Sequence, residues 1–351
     1  MLPVFGSSPS GEKVETIKES PQYNPERQQF VNRQQDVLDQ MRKDSMNFKT
    51  IKEWLTNTEG RVPQNPLPEV KPDLQEFLKP AADLKVIWFG HSTFLLNFSG
   101  KIILVDPVFS GTASPFSFMV KRFQPPVLKL EELPKIDLVL ISHDHYDHLD
   151  METMKFFAQH QPDQKFLMPL GVGSHLKSWG VNEVNITERD WWQSHTLEGI
   201  EFIATPAQHF SGRSLTDGNK TLWASWVIRN SEHNIYFSGD SGYDVHFKQI
   251  GDKYGPFDLA FIENGQYNVK WRAVHALPEE SVQAYFDLKA KRFFPIHWGM
   301  FVLSLHSWRE PVDELLRLSK ERGVKTVTPK IGEVVTVNED YQSIAWWQDL
   351  K

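Results

Sequence analysis

The stretch Ser142-His143-Asp144-His145-Tyr146-Asp147-His148-Leu149-Asp150 constrains this chain more than any other, because it sets three imidazoles and a carboxylate at fixed offsets directly behind an apolar run, residues 136–141. That run is short enough to be one buried strand bounded by polar residues. A loop leaving the carboxyl end of a central strand is where open α/β proteins place their chemistry, since the sheet holds the loop's base rigid while its tip faces a crevice. His143 and His145 are separated by one residue, so in extended geometry they point the same way and can grip one ion. Asp147 and His148 continue around the turn and can reach a second. A polar turn whose histidines merely cap a helix starting near Asp150 is the plainer reading. Even with thirteen histidines in the chain, however, this spacing is rare by chance, and a dinuclear metal site accounts for it better.

The rest of the composition narrows the chemistry. There are no cysteines, which removes disulfides, thiolate zinc sites and cysteine nucleophiles and leaves histidine and carboxylate as the strong metal ligands. A formal net charge of -7 and a pI near 6.0 argue against nucleic acid as the main partner of a protein that would depend on a broad basic face, with a local basic patch left open. The amino terminus, Met1-Leu2-Pro3-Val4-Phe5-Gly6, has no charged leader and no long apolar stretch, and no window elsewhere reaches about 18 apolar residues. The expectation is a cytoplasmic, water-soluble protein, with peripheral membrane contact left open. At 351 residues and 40% hydrophobic, the chain has ample core for one large domain or two ordinary ones.

Residues 1–80 are rich in charge and divided by prolines, and they form a helical or irregular extension. Spacing of Phe30, Val37, Leu38 and Met41 predicts a helix over 26–46, followed by a second over 50–55. Packing on the main domain is favoured over a lid or a membrane-facing flap. Strand patterns then appear at 86–89, 93–98 and 102–105, the last ended by Asp106-Pro107. A long connection, 108–126, carries Lys121 and Arg122 and is a candidate wall of a substrate pocket. A helix over 151–160, a strand over 165–168 and a short helix over 171–180 follow. Strands between 183 and 205 lead to His209. A strand pair at 223–228 and 234–237 runs into Asp240, where the flanking glycines allow a tight turn and close approach to an ion. A buried run at 259–262, a helix over 278–289, a strand over 293–296 leading to His297, a helix over 311–322 and a strand within 327–337 complete the set. Five strand ends therefore carry Asp106, the 143–148 group, His209, Asp240 and His297, and strand ends converge when the strands share a sandwich.

Several words along the chain, spanning about residues 88–301, carry a family resemblance. They are Phe89-Gly90-His91-Ser92, Val105-Asp106-Pro107-Val108-Phe109-Ser110, Lys121-Arg122-Phe123, residues 141–150, Thr205-Pro206-Ala207-Gln208-His209, Ser238-Gly239-Asp240-Ser241-Gly242 and Ile296-His297-Trp298-Gly299. The chain resembles the metallo-β-lactamase superfamily and, within it, the branch of N-acylphosphatidylethanolamine-hydrolysing phospholipase D. The resemblance implies an α/β fold, an αββα sandwich, in a hydrolase domain over 81–351 behind the extension. It also implies two zinc ions, with iron or manganese able to take the same donors. His143, His145 and His209 would hold one ion and Asp147, His148 and His297 the other, with Asp240 bridging. Asp106 and His91 would orient ligands from behind.

The implied reaction is attack of a bridging hydroxide on phosphorus of a phosphodiester, a phospholipase D-type reaction on an N-acyl phosphatidylethanolamine or related phospholipid. Asp147 would accept or steer the proton. His275 would contact the phosphate or protonate the leaving group. Lys121 and Arg122 are either phosphate contacts or a solvated charge pair. Tyr267, Trp271 and the Phe-rich loop 109–123 are candidates to line an apolar channel, against the reading that they are core. His160, His175, His195, His233, His246 and His306 are expected to be structural or on the surface, and a homodimer stays open. Two rival readings remain: a lactonase of a phosphorylated sugar acid in the same superfamily, and a non-catalytic metal-binding protein that kept the fold. The latter is disfavoured because all seven ligand positions are filled.

Overall fold

A computed structural model describes residues 2–45, 48–56, 59–79, 83–337 and 341–350. In the extension, α1 (Glu12–Lys18) leads to a hairpin of β1 (Tyr23–Asn24) and β2 (Gln29–Phe30), then α2 (Gln35–Ser45), α3 (Phe48–Thr56) and α4 (Leu74–Leu78). The helix expected over 26–46 thus begins nine residues late, and its last residue lies outside the described set. Two local facts explain the delay. The Asn24 side chain accepts from the backbone of Glu26 and Arg27, which closes a turn. Phe30 is fully buried against Ile17, Leu222 and Trp223, so tertiary burial overrides a spacing that looked helical.

Two sheets form the body. The first contains β3 (Leu84–Trp88), β4 (Phe94–Phe98), β5 (Lys101–Val105), β6 (Leu138–Leu140), β7 (Phe166–Pro169) and β8 (Ile186–Arg189). The second contains β9 (Ser194–Leu197), β10 (Ile200–Thr205), β11 (Ser225–Arg229), β12 (Asn234–Phe237), β13 (Leu259–Glu263) and β14 (Phe293–Ile296). A final strand, β15 (Val334–Val337), returns to the first sheet beside β3. It starts seven residues later than the expected strand at 327–337. The orders are β15-β3-β4-β5-β6-β7-β8 and β14-β13-β12-β11-β10-β9. Pairing is antiparallel from β15 through β5 and from β9 through β12, and parallel from β5 through β8 and from β12 through β14.

Alternation along the strands builds the layers. Val86, Trp88, Phe94, Leu96, Ile103 and Val105 of the first sheet face Phe202, Ala204, Trp226, Ile228, Phe237 and Phe261 of the second, in one core between the sheets. Phe94 and Phe261 stack at 4.2 Å across that gap. The intervening residues face outward. Ile87, Leu95 and Leu104 pack under α5 (Met151–His160) and α6 (Gly173–Ser178), while Val227, Ala260 and Ile262 pack under α7 (His246–Tyr254), α8 (Pro278–Asp287) and α9 (Glu310–Arg322). The result is an αββα sandwich. No helix among the described residues is long and apolar enough to cross a membrane.

Candidate metal centre

Along one rim of the sandwich the loops after β5, β6, β10, β12 and β14 meet. The β6 loop turns at once, with the amides of His148 and Leu149 both donating to the His145 carbonyl at 3.0 and 2.8 Å. Asp150 then caps α5, accepting from the Glu152 amide and the Thr153 hydroxyl, and also holds the amides of Phe109 and Ser110. One carboxylate thereby joins the histidine loop to the start of the 108–126 connection. Three residues at this rim, His91, Asp106 and His297, adopt left-handed φ of 54°, 38° and 67°. Such conformations persist where the surroundings over-determine them.

The side chains fall into two groups that share one oxygen. In the first, His145 Nδ1 lies 2.9 Å from His143 Nε2 and 3.1 Å from His209 Nε2. In the second, Asp147 Oδ2 lies 3.2 Å from His297 Nε2, 3.4 Å from His148 Nε2 and 2.9 Å from His91 Nε2. Asp240 Oδ2 stands between them, 3.8 Å from the Nε2 atoms of both His143 and His209, 3.1 Å from that of His148 and 3.2 Å from that of His297. The structure therefore brings together all seven residues expected from the sequence, with His91 and Asp106 beside them.

The donor set fits metal binding. His148 Nε2 and Asp240 Oδ1 are buried and make no hydrogen bond, and buried polar atoms are rarely left so without reason. Behind three of the imidazoles a second group fixes which nitrogen faces inward. His209 Nδ1 donates to the Val274 carbonyl at 3.1 Å, and His148 Nδ1 donates to Asp106 Oδ2 at 2.7 Å. His143 Nδ1 lies 2.9 Å from Ser142 Oγ, which itself donates to Asp106 Oδ2. Asp106 also accepts from the Ser142 amide at 2.7 Å, so one fully buried carboxylate steadies an imidazole of each group.

Burial pushes His143 and His209 well below the usual imidazole range and His297 to about 3, leaving them neutral, as metal binding requires. Burial alone would raise Asp147 and Asp240, but the neighbouring imidazoles, His148 foremost, hold both well below the usual carboxylate range. His148 goes the other way: burial opposes a second proton, yet the carboxylates of Asp240 and Asp147 and the hydrogen bond to Asp106 raise it well above its usual value. Positive charge is favoured most where the two groups meet.

Sequence reading missed Glu263. It ends β13, directly after the apolar run 259–262, and is fully buried, and burial raises it to about 7. Its Oε2 lies 3.0 Å from His275 Nδ1 and 3.6 Å from His297 Nδ1, and its Oε1 accepts from the Ala276 amide. A carboxylate just past a buried run was the same signal that drew attention to Asp106 and Asp240. His275 lies with its ring 5.1 Å from His209 and 5.0 Å from His297. Burial lowers its affinity for a proton, but Glu263 outweighs that and raises its pKa above 6.5.

One expectation is corrected, and another gains a further physical reason. Arg122 is not a solvated charge, because its guanidinium donates to the carbonyls of Val108 and Ser110 and lies 4.8 Å over the Phe301 ring, which packs edge-on against His91. Through those bonds it braces the start of the 108–126 connection. The glycines beside Asp240 allow the tight turn expected of them, Gly239 at a left-handed φ, and they also let distant protein atoms come close. A Cβ on Gly239, at φ 56°, would meet Ser142 at 2.8 Å, and one on Gly242 would meet the Ala273 carbonyl at 2.1 Å. Trp271 packs with Phe210 and Met41 beside Val274 at the edge of the centre, whereas Tyr267 is buried with its hydroxyl on Glu310.

A family model described as "Beta-lactamase superfamily domain" matches residues 101–298. An uncharacterized protein of Mycobacterium tuberculosis is 42% identical over 82% of this chain and 77% of its own length. The N-acyl-phosphatidylethanolamine-hydrolyzing phospholipase D 1 of Caenorhabditis elegans is 37% identical over 70% of this chain and 74% of its own length. Among solved structures, Igni18, a metallo hydrolase from the archaeon Ignicoccus hospitalis, superposes with a TM-score of 0.55 at 22% identity, covering 73% of this chain and 98% of that one.

Proposed function

The chain belongs to the metallo-β-lactamase superfamily, in the branch of N-acylphosphatidylethanolamine-hydrolysing phospholipase D, and from that premise we propose that it holds two cations and cleaves the phosphodiester of an N-acyl phosphatidylethanolamine or a related phospholipid. That it is a metal-dependent hydrolase follows from the family. The single observation that carries the finer reading is Asp240 Oδ2, one oxygen facing imidazoles of both groups at 3.1 to 3.8 Å. A carboxylate so placed is suited to bridge two ions.

In this reading His143, His145 and His209 hold one cation, Asp147, His148 and His297 the other, and Asp240 both, with Asp106 and His91 as supports. Nitrogen and oxygen donors without sulfur suit zinc, and iron or manganese take the same set. When bound, such a pair lowers the pKa of a water and neutralises charge that builds on the phosphoryl oxygens. The residues supply the rest. Water oxygen adds to phosphorus, the phosphorus–oxygen bond on the ethanolamine side breaks, and phosphatidate and an N-acylethanolamine leave. Asp147 accepts or steers the proton that the water loses. His275, its Nδ1 occupied by Glu263 and its charged form favoured, directs Nε2 to the departing oxygen and supplies that oxygen's proton.

The test is turnover by zinc-loaded protein of a long-chain N-acyl phosphatidylethanolamine in vesicles, beside bis(p-nitrophenyl) phosphate and a panel of lactones. Phospholipid cleavage to the acylethanolamine is expected. Failure on every phosphodiester refutes the reading, and turnover of lactones alone moves the electrophile from phosphorus to carbon. Elemental analysis of protein purified without added metal identifies the cation.

A further inference from the structure

The extension reaches the centre at a point that the catalytic reading leaves unused. Asn32, just after β2, is 5% exposed and forms a closed pair of bonds with the main chain of His209, 177 positions away: its Nδ2 donates to the His209 carbonyl at 2.7 Å, and the His209 amide donates to its Oδ1 at 3.1 Å. The His209 ring is held separately by the Val274 carbonyl. Backbone and ring are thus gripped from two sides, and the backbone grip comes wholly from outside the sandwich.

Asn32 is itself firmly placed. Its amide donates to the Gln35 side chain at 3.0 Å at the start of α2, Phe30 before it is fully buried, and Arg33 after it pairs with Asp244 through Nε at 2.8 Å. A second tie from the extension lands on the same half of the centre. The Ser7 amide donates to His175 Nδ1 at 3.1 Å, and His175 Nε2 faces Asp144 Oδ2 at 3.3 Å, between His143 and His145. Arg213 bonds the Val4 carbonyl and also the carbonyls of Asp144 and Leu149, so it spans the whole histidine loop rather than one half.

The other half is braced differently. Asp106 stands behind His148, Glu263 behind His297 and His91 against Asp147, and all three sit at the ends of core strands or in the loop after β3.

We propose that Asn32 is a positioning residue for the His143–His145–His209 half of the centre alone, which makes the extension part of one cation site and not a separate appendage. This rests on the two-cation reading above. Removing the Asn32 amide leaves the buried N–H and C=O of His209 unpaired, and the loop relaxes to recover partners, carrying the ring away from His143 and His145. The half containing Asp147, His148 and His297 keeps all of its supports. Loss of a group that orients a ligand typically lowers metal affinity by about 10- to 100-fold.

The experiment uses full-length, zinc-loaded wild type, Asn32→Ala and Asn32→Asp, each dialysed against graded free chelator, with zinc per polypeptide counted by elemental analysis and folding followed by circular dichroism. Wild type should hold two equivalents. Asn32→Ala should release one equivalent at about 10- to 100-fold lower chelator strength, with the second leaving at the wild-type value. Asn32→Asp fills the same volume and keeps an acceptor for the His209 amide, but it sets a carboxylate oxygen against the His209 carbonyl in place of the donor, so its shift should be in the same direction and at least as large. It carries the test should the alanine variant not fold. A wild-type release curve in the variants overturns the proposal. So does equal weakening of both equivalents, which indicates general loosening. A wild type that never binds two equivalents refutes the two-cation reading instead, which keeps the two failures apart.

Discussion

Asp106→Asn separates the two roles that a buried carboxylate behind a metal centre can have. Asp106 is fully buried and accepts three hydrogen bonds, from the amide and hydroxyl of Ser142 and from His148 Nδ1. Burial nevertheless raises its pKa above the usual carboxylate value against those partners, so in the metal-free protein desolvation outweighs what they return. Asparagine has the same shape and keeps one acceptor for the Ser142 amide. Two bonds to a charged group, about 1.5–3 kcal/mol each, are lost, while a desolvation penalty of several kcal/mol is relieved. The metal-free fold should therefore change by no more than about 2 kcal/mol in either direction. The centre should respond far more. An amide N–H facing His148 Nδ1 requires that nitrogen to accept, which moves the ring proton to Nε2, the atom facing Asp240 and Asp147, and a protonated nitrogen cannot bind a cation. Through Ser142 the same change reaches His143. Both equivalents should weaken, by about 10- to 100-fold each. Urea unfolding of metal-free protein and chelator competition on loaded protein measure the two quantities. A loss of more than about 4 kcal/mol with unchanged metal affinity would show that Asp106 is a structural plug and refute the argument.

Other residues give predictions that different measurements check. Asp240→Ala should leave one bound ion or fewer and abolish turnover, since one oxygen serves both groups; full loading of two ions in that variant would remove the bridging role. His275→Ala should retain both ions while the rate falls by about 10²- to 10⁴-fold, and an unchanged rate would return this histidine to a packing role. His246 is buried with Nε2 3.2 Å from Ser241 Oγ, and burial pushes it down to about 4. The unfolded chain takes up that proton near 6.5 and the folded chain only near 4. Stability present above pH 6.5 is therefore lost as pH falls from about 6.5 toward 4, by up to about 3 kcal/mol from this group. Urea midpoints between pH 7 and 4.5 should consequently fall less steeply in His246→Gln than in wild type, and parallel curves would disprove the assignment.

What the sequence discloses about this fold divides along a physical line. Strands whose faces both lie in cores, such as β4 and β5, read as plain apolar runs whatever packs on them, and their ends were placed within a residue or two. The boundary of α2 was not legible, because Phe30 at helical spacing from Leu38 is claimed by Ile17, Leu222 and Trp223, contacts that no local window contains. The turn at glycines 239 and 242 is legible, but the atoms that exclude a Cβ there belong to Ser142 and Ala273, distant in the chain and invisible to any local window.

The centre divides in the same way. Groups that can donate to a cation come from few residue types, and when they recur at strand ends they leave a mark in the sequence; Glu263, at the end of β13, carries that mark too. Supports leave no such mark. A ring nitrogen is steadied equally well by a carboxylate, as His148 is by Asp106, or by a peptide carbonyl, as His209 is by Val274, and in the second case the side chain at the supporting position is free to be anything. Asn32 is intermediate: an amide side chain imitating a paired strand is chemically specific, but its partner is a backbone 177 residues away. The parts of this centre that a sequence discloses are therefore those that meet the cations, while the parts that set how tightly each is held appear only when the chain is folded. For that reason the unequal bracing of the two halves is a property of the structure, and metal release is the measurement that bears on it most directly.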